Sequence, residues 1–341
     1  MRITPRAIFF ICAVFLVTCL SLPGLAQGKD YRVEILQITN FEELQFVYDG
    51  FLKELEKSGI LEGRNLTVKR TIIDFDIENP SLTKKINVYL RIRKEASRIA
   101  KEKPDLVLAM GTPMTKYAKD KIIAAGIPLV FTALAFPEAV GCRSLTEAGP
   151  GFTGVTTHMN MKDALAIVKQ SFPAIRTVGI VHSDDANSIA HVEDAKKEGL
   201  PLGITVISKQ VGIKAAIVPA LKELQKQGAQ VFAVPPDPYY ELNNHEKAGD
   251  LIEFSKANKT QVFTLVIDKI PGATLYIGVD FDTIGALSGK QSAKILKDGV
   301  KPETLPILRQ QDLTIMVDAK VIKALNIHLP PEILRIAKPF D

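Results

Sequence analysis

Alternating and helix-spaced apolar residues follow one another along the first half of the chain. Residues 32–38 alternate apolar and polar side chains, as a half-buried strand does, and residues 41–57 carry apolar side chains three and four apart, as an amphipathic helix does. The same order continues through strands predicted at 66–73, 105–110 and 128–131 and a helix predicted at 82–103. Strands that alternate with helices form parallel sheets, so this half predicts one α/β lobe.

The second half repeats this order. The pattern predicts strands at 177–181, 204–207, 230–234 and 261–264, with helices at 187–198 and 215–226. Parallel strands joined through helices require right-handed crossovers. We therefore predict an α/β fold of two similar doubly wound parallel-sheet lobes.

The segments that follow the predicted strands carry the candidate site. In open parallel sheets, ligands bind beyond the carboxyl ends of the strands. Side chains there offer hydroxyls, carboxylates, aromatic rings and helix N–H groups to a small polar molecule. The candidates are Thr39, Asn40, Phe41, Thr112, Pro113 and Phe136 in the first half, and Asp184, Asn187, Ser188, Asp237 and Asp268 in the second. Each of them could instead be an ordinary helix cap or turn residue, but the whole set favours a ligand cleft.

Residues 1–26 have the features of an export signal. Arg2 and Arg6 precede an uncharged, mostly apolar run at 7–20, and the small residues Gly24 and Ala26 suit cleavage after Ala26. We expect an exported, periplasmic protein that is soluble after cleavage. Two alternatives are an uncleaved anchor and a lipid attached to Cys19, since Leu16-Val-Thr-Cys19 faintly resembles a lipobox.

Composition and charge indicate a globular protein that does not bind nucleic acid. The 341 residues are 46% apolar and 24% charged, as in ordinary globular proteins, and the net charge is only +5. Such a small charge argues against nucleic acid as a partner. Cys12 and Cys19 lie in the leader, which leaves Cys142 without a disulfide partner. The basic run at 84–103 predicts a solvated helix face, with a transporter or anionic-membrane contact as the alternative.

Motifs for catalysis or cofactor binding are missing from the sequence. It contains no GxxxxGK[ST], HExxH or GxSxG pattern. His182 shares a loop with Asp184 and Asp185, where a helix-capping loop is preferred over a metal site. We therefore predict no enzyme, no catalytic residue, no metal and no cofactor.

Short motifs in a fixed order carry a family resemblance. They are Ala109-Met-Gly-Thr-Pro113, Pro128-Leu-Val-Phe131, Phe152-Thr-Gly-Val155, Val178-Gly-Ile-Val181, Ala186-Asn-Ser188, Gly272-Ala273, Gly278-Val-Asp280, Ile284-Gly285, Ala293-Lys-Ile-Leu296, Leu305-Pro306, Ala324-Leu325 and Leu329-Pro-Pro331. Together they resemble the ABC transporter substrate-binding proteins whose better-known members bind tryptophan and related aromatic amino acids. The resemblance covers essentially the whole chain after the leader.

That resemblance implies a type 1 periplasmic binding protein, in which three crossovers join two lobes that close on a ligand. The crossovers are expected near 154, 279–281 and 308–313. Lobe one then comprises 27–154 plus 280–310, and lobe two comprises 155–279 plus 311–341. Two departures concern the ligand: Phe136-Pro137 stands where the family commonly has Asp-Pro, and Asp268 is about one residue out of register.

The resemblance also implies a function. The protein would capture a small solute and deliver it to the permease subunits of an ABC importer, and we expect it to be a monomer. For an amino-acid ligand, the expected carboxylate donors are Thr112, Asn187 and Ser188, the expected ammonium partners are Asp237 or Asp268, and the expected cover for an apolar side chain is Phe41 and Phe136. Phe41 could equally be a core residue of its helix. The alternatives are a sensor that uses the same cleft to signal through a membrane partner and, less favoured, an exported enzyme.

Overall fold

The computed structural model describes residues 29–74, 81–267 and 270–340. The predicted leader at 1–26, its cleavage site, Cys19 and Asp268 lie outside these residues. The strands are Tyr31–Gln37 (β1), Leu66–Ile72 (β2), Leu106–Met110 (β3), Leu129–Leu134 (β4), Phe152–Thr156 (β5), Thr177–His182 (β6), Thr205–Gln210 (β7), Val231–Val234 (β8), Gln261–Thr264 (β9), Leu275–Gly278 (β10), Leu308–Arg309 (β11), Thr314–Val317 (β12) and Lys338–Pro339 (β13).

Ten α-helices lie between these strands or follow them in the described part of the chain. They are Glu42–Lys57 (α1), Leu82–Glu102 (α2), Thr112–Ala124 (α3), Met161–Ser171 (α4), Ala186–Gly199 (α5), Val218–Lys226 (α6), Pro238–Ala257 (α7), Phe281–Asp298 (α8), Ala319–Ala324 (α9) and Pro331–Ile336 (α10). Short 3₁₀ turns occupy Pro137–Val140, Leu200–Leu202 and Pro302–Thr304. Helix α7 is interrupted at residues 242–245, whose backbone is not helical.

The strands form two sheets. The first has the order β11-β5-β4-β3-β1-β2, and all its pairs are parallel. The second has the order β13-β12-β10-β9-β8-β6-β7 and is parallel except where β12 runs antiparallel to β10. We call the first sheet with α1–α3 and α8 lobe one, and the second sheet with α4–α7 lobe two. The α/β doubly wound prediction is confirmed.

Both faces of each sheet are buried, which explains the nearly continuous apolar runs in the central strands. In β3, Leu106, Leu108 and Met110 join the cluster under α1 and α8, whereas Val107 and Ala109 join the cluster under α2 and α3. Lobe two likewise has one cluster under α4 and α5 and another under α6 and α7.

Helix α8 follows β10 of the second sheet and lies against the first sheet. It packs against α1 so closely that a Cβ at Gly285 would lie 2.1 Å from the Val47 carbonyl oxygen. Only glycine fits at such an approach.

Two predicted elements have different bounds in the structure. The helix predicted at 215–226 begins only at Val218. Residues 212–215 form a turn in which the Ala215 N–H donates to the Gly212 carbonyl, and Pro219 then lies in the first helical turn. The strand predicted at 128–131 continues to Leu134 through one extra residue relative to β5. Ala133 adopts the left-handed conformation there, with φ of 54°.

Two further findings concern the helices and the cysteine of the described residues. None of their helices is long and apolar enough to cross a membrane. Cys142 is buried and has no disulfide partner among them. Burial raises the pKa of its thiol to about 12.

Candidate ligand-binding cleft

A cavity of about 230 Å³ lies between the two lobes, where strands of both sheets end. Lobe one contributes Thr112, Ala133, Leu134 and Ala135. Lobe two contributes Asp185, Asn187, His191, Pro236, Asp237, Pro238, Glu241, Leu265 and Val266. The segments that pass between the lobes contribute Thr157, Met159, Val279 and Phe281. The cavity therefore lies where parallel sheets present their ligands with strand ends and helix starts.

The wall from lobe one is uncharged. Helix α3 begins at Thr112 after Gly111, whose φ of 93° suits glycine, and no side chain caps its N-terminus. The N–H groups of a first helical turn have no partner within the helix and carry a partial positive charge. Beside it, the carbonyls of Leu134 and Ala135 both accept a hydrogen bond from the Thr156 hydroxyl at 2.9 Å. That contact holds the end of β4 after its extra residue.

The wall from lobe two is acidic. Asp185 and Asp237 are the N-cap residues of α5 and α7, and Glu241 lies in the first turns of α7. No lysine or arginine is found among the described residues that line the cavity. The cavity thus combines an uncapped helix start on one side with three carboxyl groups on the other.

Asp237 uses both oxygens of its carboxylate inside lobe two. Oδ2 accepts from the Ser183 N–H at 2.7 Å, and Oδ1 accepts from the Ser183 hydroxyl at 2.8 Å and the Tyr239 N–H at 2.9 Å. The side chain is only 3% exposed. Burial raises the pKa of this carboxyl group, and the three hydrogen bonds oppose that rise. Asp237 therefore ties β6 to the start of α7.

Asp185 keeps one oxygen unused. Its Oδ1 accepts from the Asn187 N–H at 3.0 Å, the Ser188 N–H at 3.1 Å and the Ser188 hydroxyl at 3.2 Å. Its Oδ2 accepts no hydrogen bond from any residue in the described ranges. The side chain is half-buried and lines the cavity. Asp185 therefore offers a free carboxylate oxygen at the cavity wall.

His191 lines the same wall one helical turn after Asn187 and is 3% exposed. Phe136 packs against it with ring centroids 5.3 Å apart, and Phe136 also packs against the ring of His158, at 5.7 Å. Burial, with a smaller effect from the nearby His158, lowers the pKa of His191 to about 4. The imidazole of His191 is therefore neutral at pH 7.

Three of the predicted site residues line the cavity: Thr112, Asn187 and Asp237. Phe136 does not line it but packs against the ring of His191, which does. Pro113 lies in the first turn of α3 outside the lining, and Asp184 is exposed to solvent outside it. The Ser188 side chain is buried, and its hydroxyl donates to the Asp185 carboxylate and the Pro236 carbonyl rather than facing the cavity.

The predicted group before α1 lies away from the lining. Asn40 is exposed, and the hydroxyl of Thr39 is buried without a hydrogen-bond partner among the described residues. Phe41 packs against the lobe-one core, which was the alternative given for it.

Sequence reasoning missed three polar residues of the wall: Asp185, His191 and Glu241. The signal for Asp185 was its spacing to Ser188, which matches an N-cap residue and its N3 position. His191 follows Asn187 by four residues, so the two share a helix face. The sequence indicates Glu241 more weakly, only through its position three residues after Pro238, near the start of the helix that follows Pro236-Asp-Pro238.

Comparison with known proteins identifies the family to which the chain belongs. The family described as ABC transporter substrate binding protein matches residues 32–340. The chain belongs to that family. This confirms the resemblance found in the sequence, and the solute-binding role of the family agrees with the position of the cavity.

Individual relatives are distant. The chain is 22% identical over 305 residues to the tyrosine-binding protein of Clostridioides difficile, covering 88% of this chain and 82% of that one. Two solved structures superpose well. A conserved domain protein of Vibrio cholerae gives a TM-score of 0.72 at 22% identity, with 92% and 100% of the two chains covered. An ABC domain in complex with L-Trp from Streptococcus pneumoniae gives 0.70 at 18% identity, with 91% and 99% covered. At these identities the structural likeness establishes the fold.

Proposed function

We propose that the protein binds an amino acid with an aromatic side chain, or a closely similar solute, in the cavity between its lobes and delivers it to an ABC importer. The observation that carries this proposal is the division of charge across the cavity. A free amino acid has one negative and one positive group on the same carbon atom. The uncapped start of α3 suits the carboxylate, and the free oxygen of Asp185 suits the ammonium.

The carboxylate contacts follow from the helix start. Thr112 is the first residue of α3 and offers its hydroxyl beside the backbone N–H groups of Thr112 and Met114, since Pro113 between them has none. Asn187 reaches the cavity from α5 and can donate through its amide. A carboxylate placed directly at the N-terminus of α5 or α7 would instead meet the capping carboxylates Asp185 and Asp237, which repel it, so only the Asn187 side chain of lobe two is assigned to it.

The remainder of the lining suits an aromatic ring. Met159, Leu265, Val266, Val279 and Phe281 are apolar and line the cavity. An engineered protein cavity of about 150 Å³ holds benzene. About 230 Å³ therefore leaves room for one ring and a short polar head. The names of the relatives, a tyrosine-binding protein and an L-Trp complex, point to the same class of ligand.

Binding would be coupled to lobe closure. A ligand that contacts Thr112 from lobe one and Asp185 from lobe two satisfies both sets of contacts only when the lobes are close together. Such a ligand shifts the population toward the closed form by the difference in its affinity for the two forms. The closed form is then the one that an importer can distinguish from the empty protein.

Calorimetry with L-tyrosine, L-tryptophan and L-leucine tests the ligand class, and mass spectrometry of small molecules that copurify tests it independently. We expect saturable binding of at least one aromatic amino acid, and a smaller radius of gyration by X-ray scattering when that ligand is added. If neither aromatic amino acid binds, or if the radius of gyration is unchanged at saturation, the proposal is wrong.

We also propose that the protein is exported, on the sequence of residues 1–26. N-terminal analysis of the protein from its native host should find Gln27 as the first residue. A lipid-modified Cys19 at the N-terminus would instead show a lipoprotein. An intact N-terminus would show an uncleaved anchor.

A further inference from the structure

The side chain of His191 is buried in the cavity wall and forms no hydrogen bond to any residue that the structure describes. Neither of its ring nitrogens bonds to a residue in the described part of the chain, and the side chain is 3% exposed. Nδ1 of His158 is an enclosed polar atom without a partner, whereas neither ring nitrogen of His191 is enclosed in this way. The polar edge of His191 is therefore open to the cavity, where such a group normally bonds to water or a ligand. His191 forms part of the cavity wall, so a bound molecule can reach it.

Aromatic packing holds the ring in place instead. The rings of Phe136 and His191 meet at 5.3 Å with an interplanar angle of 51°, and Phe136 contacts His158 at 5.7 Å on another side. The packing positions His191 without using either nitrogen. A hydrogen-bonding group that is placed by packing and left unpaired is preorganised for a ligand.

A neutral imidazole offers one N–H donor and one nitrogen acceptor. A phenol hydroxyl can either donate to that nitrogen or accept from that N–H, and an indole N–H can donate to the nitrogen. A plain phenyl ring can do neither. Binding a plain phenyl ring would therefore leave the buried imidazole unpaired, and sites built to bond a hydroxyl discriminate strongly against the analogue without it.

We infer that His191 hydrogen-bonds a polar group on the aromatic ring of the ligand and so selects hydroxylated or indole rings over a plain phenyl ring. This inference rests on the proposed function, because it assumes that an aromatic amino acid occupies the cavity. It adds a residue that determines specificity within that class. The ring substituent must then point toward His191 in the second turn of α5, and the amino-acid head must point toward Thr112 and the N-cap residue Asp185 at the start of α5.

The test measures dissociation constants for L-tyrosine and L-phenylalanine by calorimetry on the wild-type protein and three variants. His191→Phe removes the hydrogen bond and keeps a ring against Phe136. His191→Gln keeps a donor and an acceptor. His158→Phe is the matched control, because His158 also contacts Phe136 but does not line the cavity. Thermal melting of each variant shows that it is folded.

We expect the wild-type protein to prefer tyrosine at least 100-fold. His191→Phe should reduce that preference to fivefold or less by weakening tyrosine binding, whereas His158→Phe should keep it within threefold of the wild-type ratio. His191→Gln should retain part of the preference. Equal binding of tyrosine and phenylalanine by the wild type, or an undiminished preference in His191→Phe, would overturn the inference and leave the proposed function intact. Failure to bind any aromatic amino acid would overturn both.

Discussion

The two walls of the cavity are built from the same kind of element and differ in charge. Each wall presents the N-terminus of a helix that follows a parallel strand. In lobe one, α3 begins at Thr112 without a side-chain cap. In lobe two, α5 and α7 are capped by Asp185 and Asp237, which place negative charge where α3 presents free N–H groups.

This difference teaches how one fold repeated twice can bind an asymmetric ligand. Helix starts attract anions when they are uncapped, and a capping carboxylate reverses that preference. Lobe one can therefore take the negative end of a dipolar solute and lobe two its positive end. The two capping residues of lobe two also differ. Both carboxylate oxygens of Asp237 accept hydrogen bonds from Ser183 and Tyr239, whereas only Oδ1 of Asp185 accepts hydrogen bonds from the described residues.

The largest expected effect comes from removing the charge of Asp185. Asp185→Asn keeps the oxygen that caps α5, since only Oδ1 accepts hydrogen bonds there, and loses the charge that faces the ligand. Losing one partner of a desolvated ion pair costs about 2–4 kcal/mol, or roughly 30- to 1,000-fold in affinity for the aromatic amino acid. Calorimetry checks this, and Asp184→Asn is the matched control at an exposed position. If both variants bind within threefold of wild type, Asp185 is not the ammonium partner.

The next effect concerns the stability of the protein in acid and arises at His191. The pKa of His191 is lowered by burial to about 4, against 6.5 for a free imidazole. The unfolded chain therefore takes up a proton at this residue before the folded protein does as the pH falls. The free energy of unfolding decreases from pH 6.5 toward pH 4, by up to about 3 kcal/mol from this residue, and the residue has no such effect above pH 7.

Urea denaturation at pH 7.5, 5.5 and 4.5 measures that loss in the wild type and in His191→Phe. The variant should lose distinctly less stability than the wild type over this range. His158, whose pKa is also lowered by burial, contributes to both proteins and cancels in the difference. Parallel curves for the two proteins would show that His191 does not resist protonation in the folded state.

A smaller effect is expected at Asp237, and on stability rather than affinity. In Asp237→Asn one oxygen becomes an NH₂ group, which must face either the Ser183 N–H or the donors on the other side. Leaving a buried donor unpaired costs about 1–3 kcal/mol. Denaturation with urea should show this loss, while Asp185→Asn should change stability by less than about 1 kcal/mol. A stable Asp237→Asn protein with strongly weakened binding would instead make Asp237 the ammonium partner, as the sequence suggested.

The smallest effect is expected on the uncharged wall. Thr112→Val keeps the shape of the side chain and removes its hydroxyl, which should weaken ligand binding by about 1 kcal/mol, or roughly fivefold, because the helix N–H groups remain. Thr112→Ser keeps the hydroxyl and should bind like the wild type. Equal loss in both variants would assign the effect to packing and not to the hydroxyl.

Periodicity predicted most of the fold because the strands lie between buried faces and the helices cover them. A central strand such as β3 must be apolar at every position, and the pattern shows it. The bulge at Ala133 could not be predicted, because an alanine with positive φ has no sequence signal and is held by its surroundings. The only residue in the sequence that indicated the late start of α6 was Pro219, since proline favours the first turn of a helix.

The candidate site was predicted in part. Strand ends located Thr112, Asn187 and Asp237 correctly at the cavity, because topology alone brings them there. Topology could not distinguish Asp184 from Asp185. Which of these two adjacent carboxylates caps the helix depends on the backbone conformation at that turn. Nor could it find His191, because a histidine within a helix has the same spacing whether it faces the core or a ligand.

The central claim is that the two lobes hold opposite ends of one dipolar solute. Calorimetry with L-tyrosine, with tyramine, which lacks the carboxylate, and with 3-(4-hydroxyphenyl)propionate, which lacks the ammonium, tests it most directly. We predict that tyrosine binds and that each analogue binds at least 100-fold more weakly. An analogue that binds within threefold of tyrosine would contradict the account, because the wall assigned to its missing group would then contribute nothing to recognition.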